Sequence, residues 1–105
     1  MKSISFALAW LLAACALNAH AVEPTSIQIQ KFLFTPKEIT VKPGTTIVWT
    51  NKDETPHAII ASDGSFLSKA MDTDDHYEHT FASEGDFSYL CTLHPYMTGI
   101  VHVRK

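Results

Sequence analysis

The residues with the most specific chemistry lie in a short segment near the end of the chain. Cys91, His94 and Met97 follow one another at intervals of three residues, and His57 lies far upstream. A thiolate, two imidazoles and a thioether form a ligand set that suits a copper ion changing between Cu(I) and Cu(II). Zinc is the alternative metal, but a thioether is a poor ligand for zinc. The four residues therefore predict a mononuclear copper site with one ion per chain.

Such a site requires strands that end close together, and the sequence predicts an all-β fold. Short apolar and β-branched runs recur between turn signals, as in a sandwich or barrel. We predict a single-domain Greek-key β-sandwich with Trp49, Phe87 and Tyr89 in its core. It has no helix after residue 21 and seven strands, which cover residues 26–30, 38–41, 45–50, 57–61, 76–81, 86–91 and 99–103.

The spacing of the candidate ligands fits this fold. Cys91 is the last residue of a predicted strand, so the sheet ladder fixes its position. His94 and Met97 lie in the tight loop that follows, and this loop can curl around one ion. His57 comes from the end of another strand, where Pro56 restricts the local backbone.

The first 21 residues predict a signal peptide for export to the periplasm. A positive residue, Lys2, precedes an apolar run over residues 4–17 and the small-residue pattern of residues 19–21 (AHA). The run is shorter than the ~20 residues that a membrane span needs. Residues 12–15 (LAAC) also resemble a bacterial lipobox, so lipidation of Cys15 is an alternative. We favour cleavage after Ala21, because the apolar run continues past Cys15.

Cleavage after residue 21 defines the composition of the mature domain, residues 22–105. It leaves 84 of the 105 residues, with Cys91 as the only cysteine and therefore with no disulfide. An unpaired thiol is a chemical liability in an oxidising compartment, and metal ligation removes that liability. Seven Lys and Arg residues against 11 Asp and Glu residues give a net charge of −4, which argues against nucleic acid or an anionic membrane as a partner.

Three segments of the chain resemble the cupredoxin family of blue-copper proteins, and most closely its amicyanin type. They are residues 48–51 (VWTN), 55–57 (TPH) and 87–97 (FSYLCTLHPYM). Amicyanins have the compressed loop with two residues between Cys and His and two between His and Met. In plastocyanins the second gap is longer, and in azurins both are longer.

The resemblance implies a monomeric electron carrier that shuttles single electrons between redox partner proteins. An amine dehydrogenase would be the donor and a c-type cytochrome the acceptor. His94 would present its ring edge to solvent through an apolar patch that includes Pro56, Pro95 and Tyr96. One departure is Ala58, because many family members have an Asn there that braces the ligand loop, and the reduction potential need not be typical.

Two other functions compete with electron transfer. A periplasmic copper-binding or delivery protein could use the same ligands, although a rigid quartet with a strand-anchored thiolate favours redox chemistry. An enzyme is not expected, because a multicopper oxidase needs His-x-His pairs and a binuclear copper centre needs two cysteines in its loop. The chain has neither.

Two further groups of residues are expected to have ordinary structural roles. His76, His79 and His102 lie in predicted strands, and we expect solvated or hydrogen-bonded side chains there and not a second metal site. The acidic cluster of Asp72, Asp74, Asp75 and Glu78 is expected to be a solvated face, with the steering of a basic partner as the alternative.

Overall fold

The computed structural model describes residues 25–105, which form eight strands. The strands are β1 (Thr25–Gln30), β2 (Leu33–Thr35), β3 (Glu38–Val41), β4 (Thr45–Asn51), β5 (Ile59–Ala61), β6 (His76–Phe81), β7 (Gly85–Cys91) and β8 (Thr98–Val103). The described part of the chain has no helix, and hence none that could cross a membrane. The predicted signal peptide, with Cys15 and the cleavage site after Ala21, lies outside the described residues.

The strands form two four-stranded sheets that pack as a sandwich. One sheet has the order β2-β1-β4-β6 and the other has the order β3-β8-β7-β5. The pairs β1/β4 and β3/β8 are parallel, whereas the other neighbours are antiparallel. This architecture confirms the predicted β-sandwich.

The core lies between the two sheets and is built from alternate residues of each strand. Ile27 and Ile29 of β1, Trp49 of β4 and Val101 of β8 are fully buried. Burial of each large apolar side chain contributes about 1.5–3 kcal/mol. Tyr89 of β7 meets Trp49 edge-on, with ring centroids 5.4 Å apart, so the core continues along β7 to its last residue, Cys91. Trp49 and Tyr89 lie in the core as predicted, while Phe87 is half-buried and packs against it.

The structure differs from the sequence prediction at two places. β2 is an eighth strand that was not predicted, and it pairs with β1 through the two-residue turn Lys31-Phe32. The predicted strand at 57–61 begins only at Ile59, and His57 instead forms an isolated bridge with Met71. His57 therefore lies in an irregular segment, held by main-chain hydrogen bonds to the long connection between β5 and β6.

Candidate metal centre

Cys91 occupies a fixed position at the end of a central strand. β7 lies between β5 and β8, and Cys91 pairs with Ile59 of β5. The Cys91 side chain is fully buried. Its backbone N–H donates to the Met97 carbonyl at 3.0 Å, which closes the loop that follows.

The loop from Cys91 to Met97 is a compact double turn. The His94 N–H donates to the Cys91 carbonyl at 3.3 Å, and the Met97 N–H donates to the His94 carbonyl at 2.8 Å. Met97 is 2% exposed, whereas His94 is half-buried. The three-residue spacing thus places His94 at the end of the first turn and Met97 at the end of the second.

His57 is held from both of its peptide groups. Its N–H donates to the Met71 carbonyl at 3.1 Å, and the Met71 N–H donates to the His57 carbonyl at 2.7 Å. Asn51, also fully buried, donates from Nδ2 to the carbonyls of Met71 (2.9 Å) and Thr55 (3.0 Å). These bonds fix the irregular segment that carries His57, whose side chain is fully buried.

The side chains of His57, Cys91 and His94 converge at one end of the sandwich. Cys91 Sγ lies 3.6 Å from His57 Nδ1 and 3.7 Å from His94 Nδ1. All ligand atoms of this group lie within 4.8 Å of one another. An ion bonded to nitrogen at ~2.0–2.1 Å and to sulfur at ~2.3 Å, with angles of about 110–120°, would need an N···S separation of about 3.6–3.8 Å. The residues therefore fit a three-coordinate first-row metal ion, and the thiolate favours copper.

A carboxylate behind His57 orients its ring. His57 Nε2 donates to Asp53 Oδ2 at 2.9 Å, so that Nδ1 keeps its lone pair towards Cys91. Such a carboxylate–histidine pair fixes the tautomer and raises the basicity of the metal-facing nitrogen. Burial alone would raise the pKa of Asp53, but hydrogen bonds from the backbone of Phe32 and Lys31 and from His57 outweigh it and lower the pKa.

Exposed apolar residues lie on the ligand loop beside His94 and on the neighbouring hairpin. The exposed fractions are 52% for Leu93, 72% for Tyr96 and 60% for Leu33 of the neighbouring hairpin. Pro56 and Pro95 are exposed as well. The residues expected to form the patch are therefore at the surface.

The remaining histidines have separate environments. His76 is exposed, His79 packs against Phe66 and Phe81 at ring distances of 4.7 and 4.8 Å, and His102 bonds two carboxylates. Among residues 25–105 the only group of three or more His, Cys, Asp or Glu side chains arranged to hold an ion is His57, Cys91 and His94.

The acidic cluster is partly engaged in local bonds. Asp74 pairs with Lys52 at 2.9 Å, and Asp75 accepts from the Asp72 N–H at 2.9 Å. All four of its carboxylates are exposed.

Sequence reasoning missed Asp53 and Phe32. Asp53 lies four residues before His57, a spacing that predicts a side-chain contact within a helix but not in a strand or loop. Phe32 packs edge-on against the rings of both His57 and His94, but it lies 25 residues before the nearer of them, in a turn that the sequence does not reveal.

A two-sheet sandwich with a buried His and Cys and a half-buried His converging at one end defines the cupredoxin class of small copper proteins. Residues 21–104 match the family model described as copper binding proteins, plastocyanin/azurin family. The chain therefore belongs to the plastocyanin/azurin family.

Relatives and solved structures of the amicyanin type agree with this assignment. Amicyanin-alpha of Methylorubrum extorquens is 31% identical, with 98% of this chain and 99% of the relative covered. Amicyanin of Paracoccus versutus is 34% identical, with 88% and 71% covered. The structure of the latter protein superposes with a TM-score of 0.72 at 31% identity, covering 80% of this chain and 84% of that one.

A purple cupredoxin from Nitrosopumilus maritimus has the same fold, with a TM-score of 0.71, 32% identity and coverage of 76% of this chain and 99% of that one. Family and site together make the protein a blue-copper electron carrier that binds one copper ion and is not an enzyme, as predicted.

Proposed function

We propose that His57, Cys91, His94 and Met97 are the four copper ligands, and that the protein carries single electrons between redox partners in the periplasm. The observation that carries the ligand assignment is the triangle of two Nδ1 atoms 3.6 and 3.7 Å from Cys91 Sγ. Met97 is assigned as the weak axial ligand because it is buried and its main chain closes the same loop. When bound, copper supplies a one-electron Cu(II)/Cu(I) couple.

The protein holds its ligands rigidly, which suits electron transfer better than copper delivery. Cys91 is fixed by its pairing with Ile59 of β5 and by its main-chain bond to Met97. His57 is fixed by two main-chain bonds and the Asp53 carboxylate. A preformed site needs little rearrangement when the oxidation state changes. A delivery protein would instead need ligands that open and exchange.

The half-buried ring of His94 is the route that we assign to the electrons. It reaches the surface among Leu93, Pro95 and Tyr96, so a partner that docks there comes close to a ligand without entering the site. The resemblance to amicyanins supports an amine dehydrogenase as donor and a c-type cytochrome as acceptor, and a monomeric state.

The visible absorption spectrum tests this function. Residues 22–105 would be loaded with Cu(II) and measured before and after addition of ascorbate. We expect an intense thiolate-to-copper charge-transfer band that disappears on reduction and returns on reoxidation, and the matched variant Cys91→Ser should lack it. A weak band, or copper that is lost to a chelator on reduction, would contradict electron transfer and favour delivery.

The mass of the mature protein tests whether the carrier is released into the periplasm or anchored to a membrane by a lipid. Cleavage after Ala21 predicts a periplasmic product of residues 22–105. A lipid-modified product beginning at Cys15 would instead establish a membrane-anchored carrier.

A further inference from the structure

We propose that Phe32 is a positioning residue that holds the two histidines of the site against each other, and that Asp53 clamps the strained turn that carries it. This inference rests on the proposed function insofar as His57 and His94 are ligands.

The ring of Phe32 contacts both histidines edge-on. Its centroid lies 5.2 Å from that of His57 and 4.9 Å from that of His94, with interplanar angles of 82° and 87°. The two imidazole rings are 5.0 Å apart, so the three rings form a closed triangle. Perpendicular contacts of this kind are favourable and directional, and they restrict rotation of both imidazoles.

Phe32 reaches this position through a turn that its sequence disfavours. Lys31 and Phe32 are the central residues of a two-residue hairpin loop, with φ of 56° and 58°. A type I′ turn needs positive φ at both positions and strongly prefers Asn-Gly. A long and an aromatic side chain are strained there, and such strain persists only where the surroundings impose it.

The Asp53 carboxylate imposes this conformation. It accepts the Lys31 N–H at 2.6 Å and the Phe32 N–H at 2.9 Å, and the same group accepts His57 Nε2 at 2.9 Å. Its side chain is only 12% exposed, so these charge-assisted bonds are poorly screened. One carboxylate thus ties the turn to the ligand that Phe32 contacts.

No other aromatic ring among residues 25–105 contacts both histidines. Ala58, directly after His57, has no hydrogen-bonding side chain. There the ligand loop is joined to the His57 segment by the main-chain bond from Thr92 N to Ala58 O at 3.0 Å. The Phe32 ring therefore contacts both histidines from outside the ligand set, whereas the Cys91 thiol contacts them from within it.

The double variant Lys31→Asn/Phe32→Gly removes the ring and also gives the turn residues that adopt positive φ readily. Comparison with variants that change only Phe32 separates the effect of the ring from that of the turn. In the metal-free protein we expect an unfolding midpoint above that of Phe32→Ala, which removes the ring and keeps the disfavoured turn. The His94 ring signals should be broadened by exchange in NMR spectra. In the copper-loaded protein we expect release to a chelator to be roughly tenfold faster, because both aromatic contacts are lost. Gln30→Ala, at the exposed residue before the turn, is the control and should change neither quantity.

Phe32→Leu keeps the original turn and should give the same broadening, so the result does not depend on one variant. Unchanged His94 signals and unchanged copper release in both folded variants would refute the positioning role. A double variant no more stable than Phe32→Ala would refute the strain argument. Because the NMR measurement needs no copper, an absent blue band would contradict the proposed function without deciding this inference.

A double-mutant cycle tests the clamp. Asp53→Asn should destabilise the metal-free protein more in the original turn than in the Asn-Gly turn, which adopts positive φ without help. Equal destabilisation in both backgrounds would show that Asp53 does not hold the turn.

Discussion

Met97 is the one proposed ligand whose donor atom is neither an imidazole nitrogen nor a thiolate. In a trigonal site a weak axial thioether tunes the reduction potential without carrying most of the binding. We expect Met97→Leu, which preserves volume, to keep the charge-transfer band and to raise the potential by tens of millivolts. The reason is that Cu(II) loses a donor, whereas Cu(I) tolerates three ligands. Cyclic voltammetry measures this shift, and an unchanged potential would mean that Met97 is a packing residue.

Gly99 is a second residue whose type matters, because Tyr89 fills the space beside it. A Cβ built on Gly99 would overlap the phenol ring of Tyr89, which is 1% exposed and cannot move outwards freely. Gly99→Ala should destabilise the metal-free protein by about 1–3 kcal/mol, the usual cost of overpacking. Urea denaturation measures this loss. Thr98→Ala, at the exposed neighbour, is the matched control, and an equal effect of both substitutions would contradict the steric argument.

The candidate ligands could be predicted from the sequence because their chemistry is specific. A thiol, an imidazole and a thioether at three-residue spacing form a ligand set that suits copper, and the structure brings Cys91 and His94 together with His57. Asp53 and Phe32 could not be predicted, since a carboxylate and an aromatic ring are common and act here through contacts 21–25 residues apart in the sequence.

The side chain of His102 links three strands of one sheet. From β8 its ring donates to Asp86 of β7 at 2.7 Å and to Glu38 of β3 at 2.6 Å. Both ring nitrogens can donate to carboxylates only if the ring is protonated. The hydrogen bond to Asp86 is the largest cause that raises the pKa of His102, and the hydrogen bond to Glu38 is the next largest. Arg104 also bonds Asp86, so the outer face of this sheet carries a small ionic network.

This network predicts a stability that depends on pH. In the unfolded chain His102 releases its proton near its ordinary pKa of ~6.5, whereas the folded protein holds it to higher pH. The stabilisation is therefore complete below that value and is lost as the pH rises through the folded pKa. We expect His102→Gln to be less stable than the original chain at pH 6 and nearly equal to it at pH 9, as measured by urea denaturation. His76→Gln is the control, and a pH-independent difference for His102→Gln would contradict the network.

Seven of the eight strands could be predicted from the sequence. β2 could not, because both the strand and the turn before it lack a local sequence pattern. β-branched runs between Pro, Gly and Asp turns predict the other strands within two residues of their observed ends. β2 has only three residues and follows a turn without Asn or Gly. A distant carboxylate imposes that turn, so no local pattern reveals the hairpin.

The net charge of the molecule affects how readily two copies associate. The full chain carries −3, and −4 remains if residues 1–21 are removed. Two like-charged copies repel each other, and the repulsion is screened as the Debye length falls from ~30 Å at 0.01 M salt to ~8 Å at 0.15 M. Electron self-exchange between oxidised and reduced copies should therefore become faster with added salt, as measured by NMR line broadening in mixtures of the two forms.

The acidic residues near His57 provide a variant for this test. Asp72 and Asp75 lie in the connection between β5 and β6, which hydrogen-bonds to His57 and Asn51, and both side chains are exposed. Asp72→Asn/Asp75→Asn reduces the mature charge from −4 to −2 and should weaken the salt dependence while leaving the absorption spectrum unchanged. A self-exchange rate that falls with added salt would show that two copies attract each other when they meet. Attraction between acidic residues of one copy and exposed lysines of the other, such as Lys31 and Lys37 on either side of β2, would then dominate over the net charge.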